Sequence, residues 1–257
     1  MIATTDVEFC NPFDAESPYF WMKIEHCGRY LFAKEFAQNN NLLKILDAAC
    51  ANGYGCFLMA EENNMVYGLD ISKELLAAAQ QQARNYRITN VQFIINNLEK
   101  DLLPFGREEI ELVTCFETLE HLINPEFLLN NLYQVLIPEG YLLLSVPNEK
   151  YEPKTEDGKP RNPNHKQLFD KDQICKLLTS AGFEIKKVLT QPYTNIFFNR
   201  EKYLIDNGLY DKDWVYSLYP SDEKAIVFFA RLFAMPQIGK VEDTYSIIVI
   251  ASKPARK

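Results

Sequence analysis

The sequence predicts an α/β fold, a doubly wound parallel sheet, on three observations. From residue 43 onward, strand-like apolar runs alternate with amphipathic segments of helical period. The first run ends in LDAACANGYG, which crowds Ala49, Ala51, Gly53 and Gly55 into seven positions of a chain with only ten glycines. The second run ends at Asp70, seventeen positions after Gly53. Small residues at a strand-to-helix turn let a ligand touch backbone, and an acid at the next strand's end can accept hydrogen bonds from ribose hydroxyls.

The elements follow in order. LLKILDAA is the first strand, and a helix can begin at Gly53 and run to Glu62. MVYGLD is the second strand; Ser72 then caps KELLAAAQQQARNY, whose Leu75, Leu76, Ala79 and Ala83 share a face. VQFIIN and IELVTCF are the third and fourth strands. Asn124 and Pro125 open a helix with Leu128, Leu132, Val135 and Leu136 at helical spacing. PEGYLLLSVPN reads as a turn and a fifth strand, and the proline- and charge-rich segment 151–165 as a loop. DKDQICKLLTSA is a helix stopped by Gly182, followed by the strand FEIKKVLT. Residues 191–240 break the alternation and carry aromatics throughout, and DTYSIIVIASKP closes the chain as a last strand.

Composition excludes several functions. A chain that is 47% hydrophobic and 24% charged reads as an ordinary soluble protein, and no apolar run reaches the roughly 20 residues of a membrane span. MIATTDVEFC does not read as a signal peptide. Six scattered cysteines (10, 27, 50, 56, 115 and 175) form no CxxC pair, which argues against a disulfide scaffold and a zinc site and for a reduced, cytoplasmic setting. A net charge of −8 opposes a phosphate-backbone partner, so no nucleic-acid partner is expected.

Two nucleoside cofactors compete for the turn. NAD needs a turn close to GxGxxG for its pyrophosphate, which AxAxGxG matches poorly. S-adenosylmethionine has no pyrophosphate; it needs room for its methionine part, an acid for the ribose and a polar contact for adenine. The stretches ILDAACANGYG, VYGLDIS, NNLEKDLLPF, FETLEHL and LIPEGYLLLSVPN, in that order, resemble the class I S-adenosylmethionine-dependent methyltransferases. His26, Arg29-Tyr30 and Phe32-Ala33 before ACANGYG bring the chain closer to a subgroup often found in sugar and polysaccharide biosynthesis. The likeness covers about residues 16–185 and the last strand.

The resemblance implies a Rossmann-like sheet of seven strands whose last strand is antiparallel. It implies that Ala49, Ala51 and Gly53 line the methionine moiety, that Asp70 binds the ribose and that Ile71 packs on adenine. Asn97 stands where the family usually has an aspartate for the adenine amino group, Leu98 follows with its backbone amide, and Phe116 sits beside the transferred methyl. Arg29 is expected to pair with the cofactor's carboxylate; the alternative is an ion pair with Glu25. Ala51 replaces a usual glycine, which is tolerated if its backbone angle is negative.

The candidate bases for an acceptor hydroxyl are His121, His165 and Glu117, in falling order. Metal binding by Glu117, Glu120 and His121 is conceivable, but no spacing demands it, and no metal is expected. The expected organisation is an N-terminal helical segment at 1–40, a cofactor-binding core at 41–190 and 241–257, and an aromatic substrate cap at 191–240. The function read from all this is methyl transfer from S-adenosylmethionine, leaving S-adenosylhomocysteine, to a hydroxyl or amine of a small molecule. A sugar, a glycan precursor or a natural product is the favoured acceptor. The alternatives are a non-catalytic binding relative of the same fold and, behind it, an NAD-dependent oxidoreductase. Monomer and homodimer both stay open.

Overall fold

In a computed structural model of the chain, residues 11–13, 20–209 and 222–256 are described. Seven strands form one sheet in the order β3-β2-β1-β4-β5-β7-β6. They are β1 (Lys44–Ala48), β2 (Met65–Asp70), β3 (Val91–Ile95), β4 (Ile110–Phe116), β5 (Leu136–Pro147), β6 (Glu184–Leu189) and β7 (Ser246–Ser252). The first five pair in parallel. β7 inserts antiparallel between β5 and β6, as expected. The sheet runs outward to β3 on one side of β1 and to β4 on the other, so its topological switch lies between β1 and β4, where open α/β sheets bind ligands.

Alternating strand side chains feed two cores. Leu46, Ile247 and Val249 face one side with Leu128 and Leu132 of α4 (Pro125–Val135) and Ile174 and Leu178 of α5 (Lys171–Ser180). Ile45, Ile248 and Ile250 face the other, with Tyr30 and Ala33 of α1 (Phe20–Asn39), Met59 of α2 (Tyr54–Met59) and Leu76 and Ala79 of α3 (Lys73–Tyr86). The caps read from sequence hold the helix starts: Ser72 Oγ accepts from the Leu75 amide, and Asn124 Oδ1 from the Phe127 amide.

Boundaries moved where backbone geometry overrides pattern. α2 stops at Met59, short of Glu62, because Asn64 accepts the Glu61 amide and turns the chain. β5 begins at Leu136, a residue expected in the preceding helix, because Leu136 pairs with Ile110, and a bulge that includes Glu139 (φ 63°) absorbs the expected turn before Tyr141 pairs with Leu112. The segment 191–240 contributes α6 (Pro192–Asp206) and α7 (Glu223–Phe233). Ile226 and Ala230 of α7 and the following Ala234 pack on Ile24, Cys27 and Leu31 of α1. Gly28 permits this approach, since a Cβ there would lie 2.2 Å from the Ala234 carbonyl oxygen. Of the aromatics assigned to a cap, Tyr210, Trp214, Tyr216 and Tyr219 lie outside the described residues.

Candidate active site

The carboxyl ends of β1, β2, β3 and β4 open into one cavity of about 520 Å³, a size suited to a cofactor or small ligand. Ala49, Ala51, Asp70, Ile71, Asn97, Leu98, Phe116, Glu117 and His121 line it. Three expected residues, Gly53, Arg29 and His165, do not line it.

Gly53 has another reason to be glycine. Its φ is 78°, and a Cβ there would fall 2.6 Å from the Phe93 ring. Gly55 is similar, since a Cβ would meet the Tyr30 ring at 2.2 Å. The glycines of the turn therefore admit aromatic rings, and the alanines face the cavity. The condition set for Ala51 fails. Its φ is 50°, and that of Ala49 is 67°, so two alanines hold left-handed backbone where a Cβ costs about 1–2 kcal/mol each.

Asp70 holds this strained turn. Its Oδ2 accepts the Ala51 amide at 2.9 Å and its Oδ1 the Ser72 amide at 2.8 Å. Burial raises its pKa, and the amides of Ser72, Ala51 and Ile71 oppose that rise. A carboxylate has about four lone-pair sites, so capacity for ribose hydroxyls remains. Ile71, 54% exposed, offers an apolar face beside it. Asn97 is less available than expected, because its Oδ1 accepts the Glu99 amide of its own loop at 3.0 Å. The neighbouring Asn96 also lines the cavity, and its buried Oδ1 has no hydrogen-bond partner among the described residues. A polar acceptor, an apolar face and an acid on one wall suit a nucleoside.

Arg29 belongs to a buried polar group behind that wall. Its Nη1 donates to Gln191 Oε1 (3.2 Å) and Ser246 Oγ (3.1 Å) and stands 3.7 Å from both Glu25 and Glu117. The competing reading, a pair with Glu25, is the one the contacts match, but buried inside the fold. Burial alone would lower the Arg29 pKa; the charges of Glu117 and Glu25 more than reverse this.

At the other end of the cavity, Glu117 has a left-handed backbone (φ 48°) and accepts the Ser145 hydroxyl at 2.6 Å. Strained non-glycine backbone at a strand end often marks a functional position. Glu120, two per cent exposed, follows on a short 3-10 turn (Leu119–His121). Its carboxyl is pushed well above the usual range by burial and by the charge of Glu117. The loop 151–168 folds back onto this turn: the Lys166 and Gln167 amides donate to the Glu120 carbonyl, and Gln167 Nε2 to that of Leu122. That stitching brings the His165 ring to 4.9 Å from the His121 ring.

Sequence reasoning missed several wall residues: His26, Tyr30, Tyr54, Thr118, Asn164 and Lys166. His26 and Tyr30 stood in the N-terminal motif, which was the available signal. His26 Nδ1 lies 3.3 Å from Tyr54 Oη, and desolvation with the Arg29 charge lowers its pKa. No described residue of 191–240 lines the cavity. Asp47, buried in β1, was likewise unassigned. It accepts from Thr114 Oγ1 at 2.7 Å and Tyr30 Oη at 3.2 Å, and burial pushes its carboxyl up to about 7.

Comparison with known proteins agrees with this geometry. A family model described as a methyltransferase domain matches residues 39–204. A "Probable S-adenosylmethionine-dependent methyltransferase" of Mycolicibacterium smegmatis is 30% identical over 146 residues, 56% of this chain and 53% of that protein. A ubiquinone biosynthesis O-methyltransferase of Haemophilus ducreyi is 32% identical over 107 residues, 41% of this chain and 45% of the relative. The chain thus spans about half the length of the curated relatives it matches. Among solved structures, the [4+2]-cyclase SpnF shares the fold with a TM-score of 0.62 at 19% identity, over 95% of this chain and 85% of that one. A Haemonchus contortus phosphoethanolamine N-methyltransferase with S-adenosylhomocysteine bound has a TM-score of 0.60 at 16% identity, covering 96% of this chain and 61% of its own. The chain belongs to the methyltransferase-domain family.

Proposed function

We propose that this chain transfers a methyl group from S-adenosylmethionine to a hydroxyl or amine of a small molecule, with a sugar, glycan precursor or natural product as the favoured class. The observation that carries the reading is that one cavity is lined both by Ala51, Asp70, Ile71 and Leu98 and by Phe116, Glu117 and His121. In this reading the first group holds the nucleoside and the second faces the acceptor. When bound, the cofactor supplies a methyl already activated on a sulfonium. The protein's task is then chiefly positioning. Asp70 orients the ribose, Phe116 shields the reacting end from water, and Glu117 or His121 takes the acceptor's proton. His165 reaches the acceptor only through His121.

A small acceptor also fits the net charge of −8, which disfavours nucleic acid. No helix among the described residues is long and apolar enough to cross a membrane. The cytoplasmic setting rests on the scattered cysteines, of which the five described are free thiols. The N-terminal segment 1–40 and the insertion 191–240 act together as a cap in this reading, supported by the packing of α7 on α1. The test is calorimetric titration of S-adenosylmethionine, S-adenosylhomocysteine and NAD into wild type and Asp70→Ala, followed by a methyl-label screen over hydroxyl and amine acceptors. Binding of both sulfur compounds that is lost in the variant supports the reading. Heat with NAD alone overturns it.

A further inference from the structure

We propose that Glu120, His121 and His165 form a divalent-cation site at the acceptor end of the cavity. Their donor atoms lie within 4.8 Å of one another, drawn from the turn after β4 and from the loop after β5. The loop's backbone is bonded to the Glu120 carbonyl, so the two segments meet as one built unit.

An independent observation points to a ligand. Both carboxylate oxygens of Glu120 are buried and have no hydrogen-bond partner among the described residues. His121 Nε2 stands 3.8 Å from Oε1, too long for a hydrogen bond. A buried carboxylate left this way is destabilising unless a cation or a proton compensates it.

Each histidine is held through its Nδ1. His121 Nδ1 stands 3.3 Å from the Asn164 carbonyl oxygen, and His165 Nδ1 stands 3.0 Å from Glu152 Oε2. With each Nδ1–H donating to that oxygen, each Nε2 is left with a lone pair for a metal. A carboxylate or carbonyl behind the imidazole is the usual support of a metal-bound histidine. Glu152 is itself held, accepting the Tyr245 hydroxyl at 2.5 Å.

Two imidazoles and one carboxylate favour a first-row ion such as Mn²⁺, Co²⁺ or Zn²⁺ over Mg²⁺ or Ca²⁺. His121 lines the cavity, so the ion borders the acceptor pocket and has coordination positions left for an acceptor oxygen. This use of the site rests on the proposed methyl transfer and selects hydroxyl acceptors over amines. The acceptor O–H proton passes to Glu117, the new C–O bond forms as the sulfonium C–S bond breaks, and that electron pair stays on sulfur. The histidines then act as ligands, and the base role falls to Glu117.

The test uses chelator-treated full-length protein, equilibrium dialysis with Mn²⁺, Zn²⁺ and Mg²⁺ in turn, and calorimetry with S-adenosylhomocysteine on the same samples. One saturable Mn²⁺ or Zn²⁺ per chain is expected, with Mg²⁺ weaker. Glu120→Gln and His165→Asn should each weaken binding about 10- to 100-fold or more. S-adenosylhomocysteine affinity should stay within about threefold in both variants, which also shows that they fold. Absence of saturable Mn²⁺ and Zn²⁺ binding, or binding unchanged in both variants, overturns the site. Loss of S-adenosylhomocysteine binding in wild type instead defeats the methyltransferase reading and leaves the metal result to be read by itself.

Discussion

The Ala51 backbone amide donates to the Asp70 carboxylate at 2.9 Å, tying the turn after β1 to the end of β2. One side chain therefore both shapes the turn and lines the cavity proposed to hold the cofactor. Asp70→Ala removes the proposed ribose acceptor and leaves the Ala51 and Ser72 amides without their carboxylate. S-adenosylhomocysteine affinity should fall more than tenfold, and stability by about 1–3 kcal/mol. Calorimetry and urea melts measure the two losses. A variant that binds normally would remove Asp70 from the site.

Ala51→Gly tests the strain in the same turn. Relief of left-handed alanine is worth about 1–2 kcal/mol, and the greater freedom of unfolded glycine costs about 0.4–1 kcal/mol. The variant should be as stable as wild type or more stable by up to about 1 kcal/mol, with equal or tighter cofactor binding. A clear loss of stability in thermal melts would mean that the Ala51 methyl packs usefully in the wall.

The strands, their caps and the antiparallel last strand were legible in the sequence because period and capping are local signals. LDAACANGYG announced a ligand turn, yet which of its small residues served the ligand was not legible. Gly53 and Gly55 owe their identity to Phe93 and Tyr30, rings that reach the turn from β3 and α1. The buried partners of Arg29 were hidden for a related reason: Gln191 and Ser246 stand 162 and 217 residues away in the chain. The cluster of Glu120, His121 and His165 was hidden in the same way. Only the fold-back of the loop after β5 puts His165 next to a pair that the sequence shows alone.

Asp47 gives a pH dependence with a definite sign. Its folded carboxyl titrates at about 7, above the ordinary 3.8. The folded state therefore holds a proton that the unfolded chain releases across this window. Stability contributed by Asp47 is greatest near pH 4, falls as pH rises toward 7 and levels off above. Asp47→Asn keeps an oxygen for Thr114 and Tyr30 but cannot ionise. Relative to wild type it should gain about 2–4 kcal/mol between pH 4 and pH 8, read from urea melts at stepped pH. Parallel stability profiles would show that Asp47 is already ionised in the fold.

Arg29 separates two roles that the sequence left open. Its guanidinium sits between Glu25 and Glu117 at 3.7 Å each, one per cent exposed, with Nε and Nη2 lacking hydrogen-bond partners among the described residues. Removing the charge strands two carboxylates, one of them fully buried, so Arg29→Met should lose about 3–5 kcal/mol of stability. Arg29→Lys keeps the charge but cannot span the same partners, and should lose less while remaining folded. Because Arg29 stands behind the cavity wall, the folded lysine variant should bind S-adenosylhomocysteine within about tenfold of wild type. Its effect should fall instead on turnover, since an ammonium cannot hold the guanidinium's place 3.7 Å from both Glu25 and Glu117. If Arg29→Lys melts like wild type yet binds no S-adenosylhomocysteine, the guanidinium reaches the cofactor's carboxylate after all. The wall between them would then have to open when the cofactor enters.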